Sequence, residues 1–218
     1  MTSSTTHQIG ILGAGKLGQP IGRHWAIAGH SVILGSRSPR TLAPAVADWE
    51  QEARVTDLAE AADLAEVVLL TVPNPALDEL LATVGERLRG KIVIDATNPI
   101  GRSADGRIIS VLRPGLTQGR RTAEALPDSR VVRAFTHVMY ELLWSRGTQQ
   151  RAAWGMALAG DDEQAKDTVA QLISDTGFTP VDIGGLDDSA ALEPGGALFP
   201  RMFAPADLRV AAGLATSV

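Results

Sequence analysis

The sequence contains no cysteine, and this absence removes several kinds of chemistry at once. Disulfide bridges, thiolate metal sites and a cysteine nucleophile are all excluded. The chain also lacks a G-x-S-x-G segment, the sequence mark of the nucleophile elbow in α/β-hydrolases. No metal site is predicted, because the four histidines show no spacing typical of metal ligands. These histidines are His7, His24, His30 and His137.

Two further deficits concern the partners of the chain. Its formal net charge is −5, whereas non-specific binding to nucleic acid needs a concentrated basic surface. No run of about 18 apolar residues is free of charged or turn residues, so no membrane-spanning helix is expected. The opening residues, MTSSTTHQ, lack the basic and apolar regions of a signal peptide. The sequence therefore predicts a cytoplasmic protein that binds neither nucleic acid nor membranes.

What the chain does contain is a regular alternation of short β-rich runs and longer amphipathic stretches, which is typical of parallel βαβ units. The run EVVLLTV is apolar almost throughout, as expected of a central parallel strand buried on both faces. This pattern predicts an α/β fold with a doubly wound, mostly parallel sheet. The predicted strands are Gln8–Leu12 and residues 30–36, 54–55, 66–72 and 91–97. The predicted helices are residues 16–28, 39–52, 57–64 and 75–88.

The pattern is looser in the remainder of the chain. Residues 98–121 are rich in glycine, arginine and serine, which predicts a long loop. Further elements are predicted beyond it: a helix at 122–126, a helix opened by Asp161 and Asp162, and strands at 130–136, 154–160 and 179–185. We therefore expect a main domain over residues 1–136 and a small C-terminal extension over residues 137–218. The extension is expected to continue the sheet and to cover an active-site cleft.

A G-x-G-x-x-G motif, GAGKLG, follows the first predicted strand directly and opens the first predicted helix. In this context the motif binds the pyrophosphate of a dinucleotide. Gly13 permits the tight turn, Gly15 lets the backbone approach the phosphates, and Gly18 lets the helix pack onto the sheet. The backbone N–H groups of Lys16 and Leu17 are expected to face the phosphates at the positive end of the helix. The main domain is therefore predicted to be a Rossmann-type dinucleotide-binding domain.

The end of the second predicted strand distinguishes NADP from NAD. In NAD-binding folds an acidic residue about 20 positions after the glycines accepts hydrogen bonds from the ribose 2′-OH. This chain has no carboxylate there and reads GSRSPR instead. The Ser36 hydroxyl and the Arg37 guanidinium can both donate to a 2′-phosphate, and Arg40 adds charge one helical turn later. The sequence therefore predicts NADP(H) as the cofactor.

Several stretches together resemble the F420-dependent NADP oxidoreductases, which pass hydride between a 5-deazaflavin coenzyme and NADP. The resemblance covers most of the chain apart from the predicted loop and the tail. STEAP-type reductase domains share the same cofactor fold. The resemblance implies coenzyme F420 as a small-molecule redox co-substrate, and a homodimer. The stretches are ILGAGKLGQPIGRHWAIAGHSVILGSRSP, VVLLTVPNPALDELL, GKIVIDATNP, RVVRAFTHV and LAGDDEQAKDTVAQLISDTGFTPVDIGGLDDSAALEP.

The resemblance also implies roles for individual residues. The GSR stretch matches the 2′-phosphate site, and Thr71, Val72 and Pro73 match the segment that runs beneath the ribose and nicotinamide. Asn98 matches a position near the nicotinamide end. Two features depart from the family pattern: Ala14 stands where many relatives carry Thr, and FTH replaces LHT or FNT at a strand end. The second departure moves the histidine by one position.

Three side chains are candidate proton donors for an acceptor that needs a proton, such as a carbonyl or imine. His137, at the end of the predicted strand 130–136, is the first candidate for a catalytic role. Tyr140, the only tyrosine, and Glu193, in the turn LEPGG, follow it. A flavin-like acceptor needs no dedicated acid, because hydride transfer is chiefly the chemistry of the cofactor.

Two other functions remain open at this point. The enzymatic alternative is an NADPH-dependent reductase of a flavin, quinone, ferric chelate or small carbonyl or imine. The alternative of another class is a non-catalytic NADP(H)-sensing module with a closed nicotinamide pocket. The apolar tail, residues 197–215, is expected to cover the carboxyl edge of the sheet or to pack across a two-fold axis.

Overall fold

A computed structural model describes residues 5–47, 49, 53–138, 140–141 and 153–214. Ten strands and seven helices are described in these ranges. The strands are β1 (Gln8–Leu12), β2 (Ser31–Gly35), β3 (Ala53–Thr56), β4 (Val67–Leu70), β5 (Ile92–Asp95), β6 (Ile100–Arg102), β7 (Ile108–Ser110), β8 (Arg130–Ala134), β9 (Gly155–Gly160) and β10 (Thr179–Asp182). The helices are α1 (Gly18–Ile27), α2 (Pro39–Leu42), α3 (Leu58–Leu64), α4 (Leu77–Val84), α5 (Gln118–Ala125), α6 (Glu163–Asp175) and α7 (Pro205–Ala211).

Eight of these strands form one sheet in the order β10-β9-β8-β5-β4-β1-β2-β3. All neighbouring pairs are parallel except β8 and β9, which are antiparallel. The chain winds outward from β1 in both directions, so the α/β, doubly wound prediction is confirmed. In such sheets ligands bind beyond the carboxyl ends of the strands, at the point where the winding direction reverses. Here that point lies at the carboxyl end of β1, the strand that is flanked by β2 and β4.

Alternate side chains of the central strands pack into two cores, one on each face of the sheet. In β4, Val67 and Leu69 join Trp25 of α1 in one core, whereas Val68 and Leu70 pack with α3 and α4 in the other. Each fully buried aliphatic side chain of this kind contributes about 1.5–3 kcal/mol. Because helices cover both faces, the central strands are continuously apolar, and they are buried up to their carboxyl ends.

Two of the predicted stretches have a clearly different structure. The helix expected over 39–52 is α2 followed by a 3-10 turn, Ala43–Val46. Pro44 cannot donate the next helical hydrogen bond, which ends the α-helix early; residues 48 and 50–52 lie outside the described ranges. The loop expected over 98–121 contains the antiparallel hairpin β6–β7 and the start of α5. Thr117 caps α5, since its hydroxyl oxygen accepts from the N–H of Arg120 at 3.1 Å.

The C-terminal part of the chain adds β9 and β10 to the same sheet and also contains α6 and α7. Its tail packs on its own chain, because Leu198 and Leu208 are fully buried against residues of β9 and β10. One of the two expectations was that the tail packs across a two-fold axis. For Leu198 and Leu208 that expectation is incorrect, because both side chains are buried within their own chain. The division at residues 136 and 137 stays a prediction. No described helix has the length and apolar character needed to span a membrane.

Candidate active site

The loops that follow β1, β2, β4, β5 and β8 meet at one edge of the sheet and form two adjoining cavities. We call the first, of about 260 Å³, the β2-side cleft; its lining includes Gly13, Gly15, Ser36, Arg37, Val72 and Pro73. We call the second, of about 170 Å³, the β8-side pocket; its lining includes Leu17, Asn98, Phe135, Thr136, Tyr140 and Pro200. The glycine loop contributes to both, so it lies between them.

The three glycines of the motif have three different surroundings. Gly13 has φ +112°, and a Cβ there would lie 2.7 Å from the Val72 nitrogen. A Cβ on Gly18 would lie 2.6 Å from the Gly13 oxygen, so no larger residue fits the start of α1. Around Gly15, by contrast, no heavy atom lies within 4 Å of a Cβ position. This open space borders the β2-side cleft and fits the pyrophosphate of a dinucleotide.

Two side chains hold the glycine loop in place. Thr71 donates its hydroxyl proton to the Gly13 oxygen at 2.7 Å, and Gln19 donates from Nε2 to the Ala14 oxygen at 2.8 Å. The sequence analysis placed Thr71 in the cofactor site but did not predict its hydrogen bond to the glycine loop. The sequence analysis did not identify Gln19 at all. Within the described chain, no hydrogen bond occupies the N–H groups of Lys16 and Leu17. These groups remain available to an anion at the start of α1.

The carboxyl end of β2 carries the predicted 2′-phosphate residues. Ser36 Oγ accepts from the Ser38 N–H at 3.0 Å, which leaves the hydroxyl proton free to donate to a ligand. Arg37 is exposed on the wall of the β2-side cleft, and Arg40 is exposed on α2. Neither arginine forms an ion pair with a carboxylate in the described ranges. Among the described lining residues of this cleft, Glu79 is the only acid.

A buried arginine organises the carboxyl ends of β5 and β8. Arg133 is 0% exposed and donates from Nη1 to the backbone oxygens of Asp95 and Thr97, at 2.9 and 2.7 Å. The same nitrogen lies 3.1 Å from Asp95 Oδ1. Asn98 follows directly and donates from Nδ2 to the Thr136 oxygen at 2.9 Å, which joins the β5 and β8 loops. Sequence reasoning located Asn98 here but missed Arg133, because an arginine within a strand gives no sign of its burial.

The structure does not support the predicted catalytic role of His137. The strand expected to reach residue 136 ends at Ala134, and Phe135 has φ 59°, in the left-handed region. His137 is 0% exposed and does not line the β8-side pocket. The Ala157 N–H donates to its Nε2 at 3.0 Å, so Nδ1 carries the proton and donates to the Arg201 oxygen at 3.0 Å. Burial lowers the pKa of this imidazole. A neutral ring with both nitrogens bonded to backbone has no proton to give to a substrate.

The other two proton-donor candidates have different surroundings. Glu193 accepts from the Gln118 N–H at 2.8 Å and lies 3.8 Å from Arg133, away from the lining of both cavities. Burial raises the pKa of Glu193, and the nearby Arg133 charge partly opposes that shift. Tyr140 lines the β8-side pocket, where Lys16 Nζ lies 3.4 Å from its hydroxyl oxygen. The described residues contain no cluster of three or more side chains able to hold a metal ion.

Comparison with known proteins identifies the family. Residues 8–99 match the model of the family described as NADP oxidoreductase, coenzyme F420-dependent. The F420-dependent NADP reductase of Methanothermobacter marburgensis is 32% identical over 200 residues, which cover 85% of this chain and 88% of that protein. The chain belongs to the F420-dependent NADP oxidoreductase family. The family match includes the glycine loop, the Ser36–Arg37 turn and the Thr71–Pro73 segment.

Two other relatives extend the comparison beyond the curated family members. Rat metalloreductase STEAP3 is 28% identical over 187 residues, which cover 85% of this chain but only 36% of that longer protein. The crystal structure of the Sinorhizobium meliloti protein SMa0349 superposes with a TM-score of 0.80 at 27% identity. That alignment covers 93% of this chain and 97% of the other. The structural similarity to SMa0349 therefore extends to the C-terminal strands, beyond the residues matched by the family model.

Proposed function

We propose that this protein is an NADP(H)-dependent oxidoreductase that transfers hydride between NADP(H) and the deazaflavin coenzyme F420. The observation that carries the proposal is the β2-side cleft. It combines open space beside Gly15, N–H groups of Lys16 and Leu17 that bond to no described residue, and the Arg37 cation, which pairs with no described carboxylate. A dinucleotide with a 2′-phosphate is the ligand that uses all three. Membership of the family supports F420 as the second substrate.

Each part of the cofactor has a place in this proposal. The N–H groups of Lys16 and Leu17 bind the pyrophosphate. Ser36, Arg37 and Arg40 bind the 2′-phosphate, because charge-assisted hydrogen bonds to phosphate are strong and arginine matches its geometry. Val72 and Pro73 run beneath the ribose, and Asn98 lies near the nicotinamide. The bound nicotinamide supplies the hydride chemistry, and these residues hold it at the boundary between the two cavities.

The β8-side pocket receives the second molecule in this proposal. Apart from Asn98, Thr136 and Tyr140, its described lining residues are apolar, and they include the rings of Phe135 and Phe199. Such a lining suits a flat, conjugated ring system, whose faces pack against aromatic and aliphatic side chains. An NADP(H) sensor, in contrast, was expected to have a closed pocket beside the nicotinamide. The β8-side pocket is open to solvent, which favours the enzyme.

The proposal is tested by NADPH oxidation at 340 nm with coenzyme F420, FMN, a quinone and ferric citrate as separate acceptors. Cofactor affinity is measured in parallel by fluorescence titration with NADPH and NADH. We expect tight binding of NADPH, weak binding of NADH, and turnover with F420. Turnover with another acceptor alone would replace F420 in the proposal by that acceptor. Tight NADPH binding without any turnover would favour the sensor.

We also propose a homodimer located in the cytoplasm. The hairpin β6–β7 supports the dimer, because Ile100 is 55% and the adjoining Val111 is 61% exposed on it. Exposed apolar patches of this kind commonly mark protein contacts. Light scattering on the purified protein is expected to give twice the mass of the 22.9 kDa chain. Ile100→Asp is expected to give the mass of a single chain, whereas a monomeric wild type would contradict the dimer.

A further inference from the structure

A tyrosine and a lysine from distant parts of the chain meet at the mouth of the β8-side pocket. Lys16 belongs to the glycine loop. Tyr140 lies 124 positions later in the chain, after β8. Lys16 Nζ lies 3.4 Å from the Tyr140 hydroxyl oxygen and 5.3 Å from the centroid of its ring. The contact joins the phosphate-binding loop to the pocket proposed for the second substrate.

Tyr140 is the side chain of this pocket best able to supply a proton. The described lining residues otherwise offer an amide, Asn98, a hydroxyl, Thr136, and apolar groups. A phenol is, as a chemical class, far more acidic than an amide or an aliphatic hydroxyl. His137 has both ring nitrogens bonded to backbone, and Glu193 lines neither cavity. Among the described lining residues, Tyr140 is therefore the one acid beside the place proposed for the meeting of the nicotinamide and the second substrate.

The lysine contact has two chemical consequences for the phenol. Since the ammonium of Lys16 can only donate, the Tyr140 oxygen accepts from it, and the phenolic O–H is left free to donate to a substrate. The ammonium also holds the phenol ring in one orientation, since it lies 5.3 Å from the ring centroid. Lys16 thus acts as a positioning residue for the phenol.

We infer that Tyr140 is the proton donor of the reaction and that Lys16 orients it. The inference rests on the proposed function and goes beyond the expectation that a flavin-like acceptor needs no dedicated acid. It assigns to the second substrate a conjugated C=N or C=O system whose nitrogen or oxygen takes up the proton of Tyr140. During reduction, the C4–H bond of NADPH breaks and its electron pair forms a C–H bond on the acceptor. The O–H bond of Tyr140 breaks, and its proton bonds to the nitrogen or oxygen that receives the displaced π electrons. NADP⁺ and the reduced acceptor leave, and solvent returns a proton to the phenolate.

Tyr140→Phe is the central test, because it removes only the hydroxyl and keeps the ring beside Lys16. We expect kcat to fall about 100-fold or more, since general acid catalysis contributes about 10²–10⁴-fold. The NADPH dissociation constant from fluorescence titration and the melting temperature are expected to stay those of the wild type. Added imidazolium or ammonium buffer is expected to raise kcat of this variant with concentration and to leave the wild-type kcat unchanged. A purely structural role for the hydroxyl would not produce that rescue.

Lys16→Met tests the supporting role, and Arg23→Met is its matched control. Arg23 is an exposed cation on α1, the helix that follows the glycine loop, so the control removes equal charge away from the pocket. Lys16→Met is expected to lower kcat about tenfold at saturating NADPH, Lys16→Arg is expected to recover most of that loss, and Arg23→Met is expected to match the wild type.

The outcomes separate the two proposals. An active wild type with Tyr140→Phe within threefold of its kcat would overturn the inference and leave the proposed function standing. Loss of NADPH binding or of thermal stability in Tyr140→Phe, without rescue by buffer, would also overturn it by showing a structural role. A wild type that binds NADPH and reduces no acceptor would overturn both.

Discussion

The β2-side cleft and the β8-side pocket are built in opposite ways. The cleft is lined by several short segments, and much of its proposed function depends on backbone: the open space at Gly15 and the N–H groups of Lys16 and Leu17. The pocket is assembled from side chains far apart in sequence, such as Leu17, Tyr140 and Pro200. A nucleotide common to many enzymes can be held by a conserved backbone form, whereas a particular acceptor needs side chains brought from several elements.

The largest effect is expected where the pocket depends on the buried Arg133. Arg133→Met leaves the Asp95 carboxylate without its cation in a fully buried site, so the free energy of unfolding is expected to fall by about 3–5 kcal/mol. Urea denaturation measures this loss. Arg130→Met, on the partly exposed end of the same strand, is the control and is expected to lose about 1 kcal/mol at most. Equal losses in the two variants would show that the pocket does not depend on this ion pair.

The glycine loop offers a pair of substitutions that separate folding from binding. Gly13→Ala is expected to destabilise the protein by about 1–3 kcal/mol from backbone strain alone, because Gly13 has positive φ and no room for a Cβ. Gly15→Ala meets no atom of the protein, so its melting temperature is expected to stay near the wild-type value. Its methyl group would occupy the space proposed for the pyrophosphate, and we expect NADPH to bind at least about tenfold more weakly, or 1.4 kcal/mol. Wild-type NADPH affinity in Gly15→Ala would place the phosphates elsewhere.

Discrimination between the two nicotinamide cofactors is expected to depend on Arg37. Arg37→Ala removes a charged donor, and hydrogen bonds to charged groups are worth about 1.5–3 kcal/mol. The NADPH dissociation constant is therefore expected to rise by roughly 10- to 100-fold, while that of NADH changes little. Fluorescence titration with both cofactors measures the ratio, and Arg23→Met serves again as a charge control. Equal weakening of both cofactors would show that Arg37 does not contact the 2′-phosphate.

At His137 the expected effect concerns stability rather than cofactor binding. His137→Gln is expected to lower the free energy of unfolding by about 1–3 kcal/mol, because it disturbs two buried hydrogen bonds. Since burial lowers the folded-state pKa below its ordinary value of 6.5, the unfolded chain binds more protons below that pH. Wild-type stability is therefore expected to fall as pH drops below 6.5, and that part of the fall is expected to disappear in the variant. Melting curves between pH 7.5 and 5 measure both effects. A 100-fold loss of kcat at unchanged stability would restore the catalytic role.

Local patterns predicted the parts of the molecule that local geometry determines. The alternation of apolar runs predicted the doubly wound sheet, and the glycine spacing placed the loop between β1 and α1, because each depends on a few neighbouring residues. The hairpin β6–β7 was missed, since its three-residue strands leave Ile100 and Ile109 exposed and give no buried period. The inward orientation of the His137 side chain was not predicted, because it depends on the backbone of Phe135. Phe135 has a left-handed conformation, which is unusual for a residue with a large side chain. The contacts of Lys16 and Arg133 join distant segments, which no local pattern reveals.

The link between His137 and the tail has a consequence for how such a protein diversifies. The Arg201 N–H donates to the His137 oxygen, and the His137 ring donates to the Arg201 oxygen, both at 3.0 Å. This pair of bonds fastens the tail to the end of β8 largely through its backbone, so Phe199 and Pro200 reach the pocket on a segment whose attachment does not depend on their own side chains. In the proposed function, replacements at position 199 therefore change acceptor preference and leave the nucleotide-binding half intact. A library randomised at this position is accordingly a direct way to seek new acceptor specificity.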